Sequence, residues 1–138
     1  SYYDLLIGLD ATVFPSYYEP WGYTPHESIA FSIPTVTTSL SGFGAWASKM
    51  EGVSGIDDGV EVIERNEDNY DEVSEKIAEA LINLSGKNKK ELDKIRSAAL
   101  TLADLADWEH FIIHYEEAYC KALHNSIDRL SANNKDDE

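Results

Sequence analysis

Three short segments rich in β-branched and apolar residues alternate with segments of helical character in the first half of this chain. They are Ala11–Phe14, Thr35–Thr38 and Val60–Ile63, and each has the length and composition of a buried strand. Helices are predicted between them at about residues 25–32 and 43–50, with short connections. Strands that alternate with single helices form βαβ units, in which the strands run parallel. The sequence therefore predicts an α/β fold with a short parallel sheet and flanking helices.

The last part of the chain is predicted to be helical. Apolar residues recur at helical spacing in three successive stretches, at about residues 70–84, 87–106 and 108–127. Asn69 is placed to cap the first stretch and Gly86 to end it. Each apolar stripe is interpreted as a core-facing surface, and the third consists of Phe111, Ile112, Tyr115, Tyr119 and Leu123. Residues 1–130 are assigned to one domain and residues 131–138, SANNKDDE, to a polar tail.

The chemistry of the chain is concentrated in residues 14–27, FPSYYEPWGYTPHE. The TPHE tetrapeptide is typical of a capping box, with Thr24 as the N-cap and Glu27 reaching back to its amide, so a helix should begin at residue 24 or 25. Gly22 lets the backbone approach a ligand closely, and the free amides of the first helical turn favour an anion such as a diphosphate. Glu19 and Glu27 are suited to accept hydrogen bonds from sugar hydroxyls.

Three stretches of the sequence resemble one enzyme family. EPWGYTPHE at 19–27 is similar to the Glu-x7-Glu signature of retaining GT-B glycosyltransferases, and with the preceding Tyr-Tyr pair it resembles the glycogen synthases of the animal and fungal type. SIPTVTTSLSGFGAW at 32–46 is similar to the strand and glycine-rich loop that follow in that family, and LADLADWEHFIIHYEEAY at 102–119 resembles its closing helical segment. Two acids at this spacing occur often by chance, whereas three matches in the same order are specific.

The resemblance implies a fold and an activity. In that family two Rossmann-like domains enclose the active site, so this chain would form a partial Rossmann-like unit, the C-terminal portion of the GT-B nucleotide-sugar-binding domain. The parent enzyme would move glucose from UDP-glucose to the 4-hydroxyl of an α-1,4-glucan end. It would do so with retention of configuration and without a metal or other cofactor, and the missing domain would bind the glucan.

The resemblance also assigns roles to individual residues. Glu19 takes the catalytic position beside the transferred glucose, where it orients hydroxyls and stabilises charge, and Glu27 contacts the nucleotide ribose. The other donor-binding residues are Trp21, Gly22, Tyr23 and Thr24, and the supporting residues of a second glycine-rich turn are Ser41, Gly42 and Gly44. Without the resemblance, Glu19 is an exposed turn acid, Glu27 is a helix cap, and core packing accounts for one of the two aromatic residues beside Gly22.

Composition argues against several partners. A formal net charge of −15 argues against nucleic acid, since an acidic surface repels a polyanion, and no apolar run has the length of a membrane span. Cys120, the single cysteine, cannot form an internal disulfide and is interpreted as a structural thiol. With no signal peptide in the sequence, a cytoplasmic location is predicted. His110 and His114 have helical spacing but no third ligand, so no metal site is predicted.

Cationic residues are missing where the resembled family has them. Its members use an arginine and a lysine from an earlier part of the domain to neutralise the departing UDP, and no lysine or arginine precedes Lys49 here. The chain alone is therefore expected to be inactive. Animal and fungal members also carry an arginine-rich helix that senses glucose 6-phosphate, whereas residues 87–108 contain four lysines and only Arg96. Since lysine is a poorer bidentate partner for phosphate, the sequence does not predict this regulation.

Two other functions remain open at this point. A GT-B transferase for a different acceptor would carry the same donor motif, because the acceptor is bound by the other domain. Alternatively, the chain is a natural module that binds a nucleotide or a protein partner and catalyses nothing. Strand edges left open in such a module would favour self-association into a homo-oligomer.

Overall fold

The structure is a computed structural model, and it describes residues 1–133. It divides into two compact units, residues 1–104 and a second unit that begins at Leu105. The elements of the first unit, in chain order, are α1 (Tyr2–Leu6), β1 (Thr12–Phe14), α2 (Tyr23–Ala30), β2 (Thr35–Thr38), α3 (Gly42–Ala47), a 3-10 turn (Ile56–Asp58), β3 (Val60–Ile63), α4 (Tyr70–Ser85) and α5 (Lys89–Leu105), which ends one residue beyond the unit boundary.

The three strands form one parallel sheet in the order β1-β2-β3. Thr12 pairs with Thr35, and Thr35 pairs with Val60, so the three strands begin level with one another. The predicted strands agree with the observed ones to within one residue. The structure thereby confirms the α/β fold with a short parallel sheet and flanking helices. Within residues 1–133, β1 and β3 are the edge strands of this sheet.

Buried hydroxyl groups tie β1, β2 and α2 together. Thr12 Oγ1 lies 2.6 Å from Ser28 Oγ and 2.9 Å from Thr35 Oγ1. The Thr35 hydroxyl also donates to the carbonyl of Ile33 at 2.9 Å. Because buried hydroxyls are costly unless they are hydrogen-bonded, this network specifies where α2 lies on the sheet. It therefore fixes the helix that follows the predicted motif.

Two hydrophobic clusters lie on opposite faces of the sheet. Val60 belongs to the first and Ile63 to the second, and residues three apart on a strand point to opposite sides. The first cluster contains Ile29, Phe43, Ala47, Val60, Ala99, Leu102 and Ala103, and the second contains Val36, Ile56, Ile63, Val73, Ala80, Leu84 and Ile95. Gly59 has a φ of +93°, and a Cβ there would lie 2.5 Å from the nitrogen of Ala99. Glycine thus allows α5 to pack directly against the start of β3.

The apolar stripes of α4 and α5 are confirmed as core surfaces over most of their length. Asn69 and Gly86 occupy the N-cap and C-cap positions of α4 as predicted, but the Asn69 side chain does not cap the helix. It accepts a hydrogen bond from the Asn66 amide at 2.8 Å and donates to the Glu64 carbonyl at 2.9 Å. The asparagine is used to shape the preceding turn, which competes with capping.

The second unit contains one long helix among the residues described, α6 (Trp108–Asn133). The prediction that its apolar stripe forms a core is wrong for Tyr119 and Leu123, which are 64% and 65% exposed, and Tyr115 is exposed as well. Among the described residues of this unit, no second helix packs along α6 to cover its apolar face. Cys120 is likewise exposed and free, and its interpretation as a structural thiol stays a prediction.

The helix α6 extends further than predicted. It continues through residues 131–133, which the sequence assigned to the polar tail, while the rest of that tail, 134–138, lies outside the described residues. The assignment of residues 1–130 to a single domain stays a prediction.

Candidate functional site

The predicted motif lies at the carboxyl edge of the sheet, in the connection between β1 and α2. The next connection, from β2 to α3, lies beside it. Glu19 donates its amide to the carbonyl of Leu40 (3.3 Å), Gly42 donates its amide to the carbonyl of Glu19 (3.0 Å), and Glu19 forms an isolated parallel bridge with Ser41. The fold therefore joins the two glycine-containing connections at the edge where open α/β sheets bind ligands.

Glu19 is half-buried, and its carboxylate accepts a hydrogen bond from a neighbouring side chain. Oε2 accepts a hydrogen bond from the Ser16 hydroxyl at 3.1 Å, and the Ser16 carbonyl in turn accepts from Thr38 Oγ1 at 2.6 Å. A Cβ on Gly22 would lie 3.4 Å from the same Oε2, so glycine keeps the backbone beside the carboxylate uncrowded. A carboxylate has about four acceptor positions, and Ser16 uses one of them. Glu19 is thus oriented and retains acceptor capacity for a ligand.

Helix α2 begins at Tyr23, earlier than the capping box predicts. Gly22 is the N-cap, with φ 105° and ψ 75°, and no side chain caps the helix. The prediction that Thr24 is the N-cap and that Glu27 bonds back to it is therefore wrong. Glycine adopts this left-handed conformation readily, so the chain turns into the helix at Gly22 and Thr24 falls within the first turn. The amides of Tyr23 and Thr24 consequently have no acceptor within the helix, and they can donate to an anion.

Glu27 contacts α1 instead of capping α2. Its Oε1 accepts a hydrogen bond from the Tyr3 hydroxyl at 3.4 Å, and the Tyr3 ring lies 5.5 Å from the ring of Phe31. Loss of solvent raises the pKa of Tyr2, and the negative charge of Glu27 raises it further. Since the carboxylate has no capping role, capping and ligand binding do not compete at Glu27.

The two aromatic residues beside Gly22 have different environments. Trp21 is half-buried, and its Nε1 donates to Nδ1 of His26 at 3.4 Å. Its ring centroid lies 6.0 Å from that of Phe43 and 5.9 Å from that of Trp46. Tyr23, by contrast, is 73% exposed. Core packing thus accounts for Trp21 as an anchor of the motif, whereas Tyr23 presents its ring at the surface.

The second glycine-rich turn supports the first from inside the protein. Ser41 is 1% exposed, and its hydroxyl caps α3 by accepting from the amide of Gly44 at 2.9 Å. A Cβ on Gly42 would come within 2.0 Å of the Pro20 carbonyl oxygen, and one on Gly44 equally close to that of Thr38. These contacts show that both glycines are required by backbone packing. Ser41, Gly42 and Gly44 therefore form the scaffold that supports the site.

Sequence reasoning missed Arg65, which follows β3 at the same edge of the sheet. It is 5% exposed, its Nη1 donates to the carbonyl of Pro15 at 3.1 Å, and its Cζ lies 3.6 Å from the centroid of the Tyr17 ring. The available signal was an arginine two residues after a predicted strand, within the acidic stretch IERNED. Since the carboxyl ends of parallel strands meet at one edge, this position adjoins the motif.

Two further properties concern residues 1–133. No group of three or more histidine, cysteine, aspartate or glutamate side chains in this part of the chain is arranged to hold a metal ion. None of its helices combines the length and the apolar character needed to cross a membrane.

The fold and the site define the class as an open parallel α/β protein with a candidate ligand site at the carboxyl edge of its sheet. A family model described as glycogen synthase matches residues 1–137. The chain is 33% identical to glycogen [starch] synthase of Caenorhabditis elegans over 98% of its length, 35% identical to isoform 1 of Saccharomyces cerevisiae over 86%, and 32% identical to the liver form of Homo sapiens over 86%. The chain belongs to the glycogen synthase family, of the animal and fungal type.

The matched regions are small parts of these relatives. They amount to 20% of the nematode protein and 17% of each of the yeast and human proteins. The chain thus corresponds to about a fifth of such an enzyme.

Proposed function

We propose that the protein carrying this chain is a cytoplasmic, retaining GT-B glycosyltransferase. It moves glucose from UDP-glucose to the 4-hydroxyl of an α-1,4-glucan end, and this chain supplies the donor-binding part of its active site. The observation that carries the proposal is the position of the Glu19 carboxylate beside Gly22 and the uncapped start of α2. Membership in the glycogen synthase family supports the same reaction.

The start of α2 binds the diphosphate of the donor in this proposal. Gly22 lets the phosphates approach the backbone, and the amides of Tyr23 and Thr24 donate to their oxygens, helped by the partial positive charge of the helix end. These donors neutralise only part of the charge on UDP. Arg65 contacts the β1–α2 connection, but its guanidinium is buried. The remaining cationic groups come from outside this chain.

Glu19 acts on the transferred glucose. Positive charge develops on the sugar as the bond from its anomeric carbon to UDP breaks, and a nearby carboxylate stabilises that charge. The Ser16 hydroxyl restricts the orientation of the Glu19 carboxylate, so it can accept hydrogen bonds from glucose hydroxyls in a fixed geometry. Its role is positioning and charge stabilisation, without covalent attack, and no metal takes part.

Glu27 binds the nucleotide at the other end of the motif. Its carboxylate accepts hydrogen bonds from the ribose hydroxyls, and the bond from Tyr3 fixes its orientation. Trp21 anchors the motif in the aromatic cluster, while the exposed ring of Tyr23 offers a surface for the donor. In this arrangement the sugar of the donor lies near Glu19 and the nucleoside lies near Glu27.

Binding and transfer assays on the full-length protein test these roles. Glu27→Gln should weaken UDP binding about 10-fold in isothermal titration, because one charge-assisted hydrogen bond is lost. Glu19→Gln should leave UDP binding intact and lower glucose transfer at least about 100-fold, since its contacts form to the sugar and its developing charge. The matched control is Glu75→Gln on the exposed surface of α4, which should change neither. Normal UDP binding by Glu27→Gln together with normal transfer by Glu19→Gln would refute the site.

Product analysis tests the acceptor separately. Wild-type protein is supplied with UDP-glucose and either glycogen or another acceptor, and the new linkage is identified. Transfer to glycogen supports the proposal. Glu19-dependent transfer to a different acceptor would overturn only the proposed identity of the acceptor. UDP binding without transfer to any acceptor would favour a non-catalytic module.

A further inference from the structure

Arg65 is a charged side chain that the fold buries. Its Nε is buried and has no hydrogen-bond partner in the part of the chain that the structure describes. Among residues 1–133, the ion pairs involve other side chains. Burial of an unpaired charge is costly, so the groups that Arg65 does contact are informative.

The contacts of the guanidinium converge on the segment that leads to Glu19. One nitrogen donates to the Pro15 carbonyl at 3.1 Å, and Cζ lies over the Tyr17 ring, 3.6 Å from the ring centroid. The backbone amide of Arg65 donates to Ser39 Oγ at 3.0 Å, which attaches it to the end of β2. Arg65 therefore links the ends of two strands to the residues just before the motif.

Ser16 lies between the two residues that Arg65 contacts. Its carbonyl accepts from the Thr38 hydroxyl at 2.6 Å, and its own hydroxyl donates to Oε2 of Glu19 at 3.1 Å. The positions of Pro15 and Tyr17 thus determine where the Ser16 hydroxyl points. Through this one hydroxyl, the segment determines the orientation of the Glu19 carboxylate.

We infer that Arg65 is a positioning residue for Glu19. Its guanidinium holds the segment Pro15–Tyr17, so that the Ser16 hydroxyl meets the carboxylate. The effect on glucose transfer rests on the proposed function, whereas the holding of the segment does not. Lysine cannot replace Arg65 in this role. The planar guanidinium can donate to a carbonyl and lie over an aromatic ring at the same time, and a compact ammonium group cannot.

Hydrogen exchange in the full-length protein tests the holding of the segment. The amides of Ser16 and Glu19 donate to the carbonyls of Phe14 and Leu40 at 2.9 and 3.3 Å, and they should exchange at least about 10-fold faster in Arg65→Lys. The matched control is Arg96→Lys, which alters a half-buried arginine that pairs with Asp10 at 3.2 Å, away from the segment, and it should leave these rates unchanged.

A second pair of variants tests the same contact if the Arg65→Lys protein fails to fold. Tyr17 is 54% exposed, so Tyr17→Leu removes the stacked ring at little cost to folding, while Tyr17→Phe keeps it. The leucine variant should speed exchange of the same two amides, and the phenylalanine variant should not. Unchanged exchange in both Arg65→Lys and Tyr17→Leu overturns the inference, whether or not the protein transfers glucose.

Kinetics test the link to Glu19. Arg65→Lys should lower kcat for transfer about 10-fold with little change in UDP affinity, and it should cause no further loss when combined with Glu19→Gln. Independent, multiplicative losses in the double variant overturn the link. If wild-type protein transfers no glucose but Arg65→Lys still loosens the segment, the proposed function fails and the positional role of Arg65 stands.

Discussion

At the scale of single residues, the site depends on backbone approaches that tolerate no side chain. Gly42 is the clearest case, because the two loops of the site meet there and its amide donates to the carbonyl of Glu19. An added methyl group would come within 2.0 Å of the oxygen of Pro20. The loops would have to separate to admit it, and Glu19 would move with them.

We therefore expect Gly42→Ala to destabilise the protein by about 3 kcal/mol, the upper end of the cost of overpacking. Gly86→Ala is the matched control, because Gly86 has an ordinary helical φ of −84° and a Cβ there would contact the Asn83 oxygen at 3.6 Å. That control should be neutral or slightly stabilising. Urea unfolding of both variants provides the measurement, and equal stabilities would contradict the expectation.

At the scale of elements, β1 and α2 act as one unit. The Thr12 hydroxyl is 2.6 Å from that of Ser28 on the helix and 2.9 Å from that of Thr35 on the neighbouring strand. Ser28 and Thr35 are fully buried. Three hydrogen-bonded hydroxyls thus take the place of apolar packing at the junction that carries the candidate site. Their hydrogen bonds both specify the position of α2 and stabilise it.

Replacement of Thr12 by valine should cost about 1–3 kcal/mol, because the shape is kept but two buried hydroxyls lose a partner. Thr101→Val on α5 serves as the control, since Thr101 is exposed and its hydroxyl donates to the carbonyl of Ser97 in its own helix. Thermal or urea unfolding distinguishes the two. A Thr12→Val protein as stable as the Thr101→Val protein would show that the network does not stabilise the junction.

At the scale of the whole chain, negative charge predominates. There are 26 acidic residues and 11 lysine and arginine residues, for a net charge of −15. The ion pairs described, such as Glu72 with Lys76, are largely exposed, and exposed pairs stabilise by only about 0–1 kcal/mol each. Repulsion among the unpaired carboxylates therefore outweighs them.

The thermal midpoint of this chain should therefore rise by a few degrees, about 2–5 °C, between 10 and 150 mM KCl. Over that range the screening length falls from about 30 to about 8 Å, which suppresses repulsion between distant carboxylates. Sodium chloride should act equally, since screening does not depend on the identity of the cation. A midpoint that falls with salt would mean that ion pairs outweigh repulsion.

The sequence by itself determined the three strands, the order of the helices that follow β1 and the location of the motif, but it did not predict α1. Each of these depends on local composition: β-branched runs form strands, and glycine and proline mark the turns between them. The family resemblance also depends on local strings such as EPWGYTPHE. The match to the family model confirmed the family that these strings indicated.

Only the tertiary structure decided how the site residues are held. A capping box is a local pattern, and it failed at Thr24 because Gly22 could turn the chain earlier. The apolar stripe of α6 failed as a core because burial requires a second element opposite it. Arg65 lies 50 positions along the chain from the carbonyl it bonds, at Pro15. No local pattern encodes such a contact, because it exists only once the parallel sheet brings the ends of its strands to one edge.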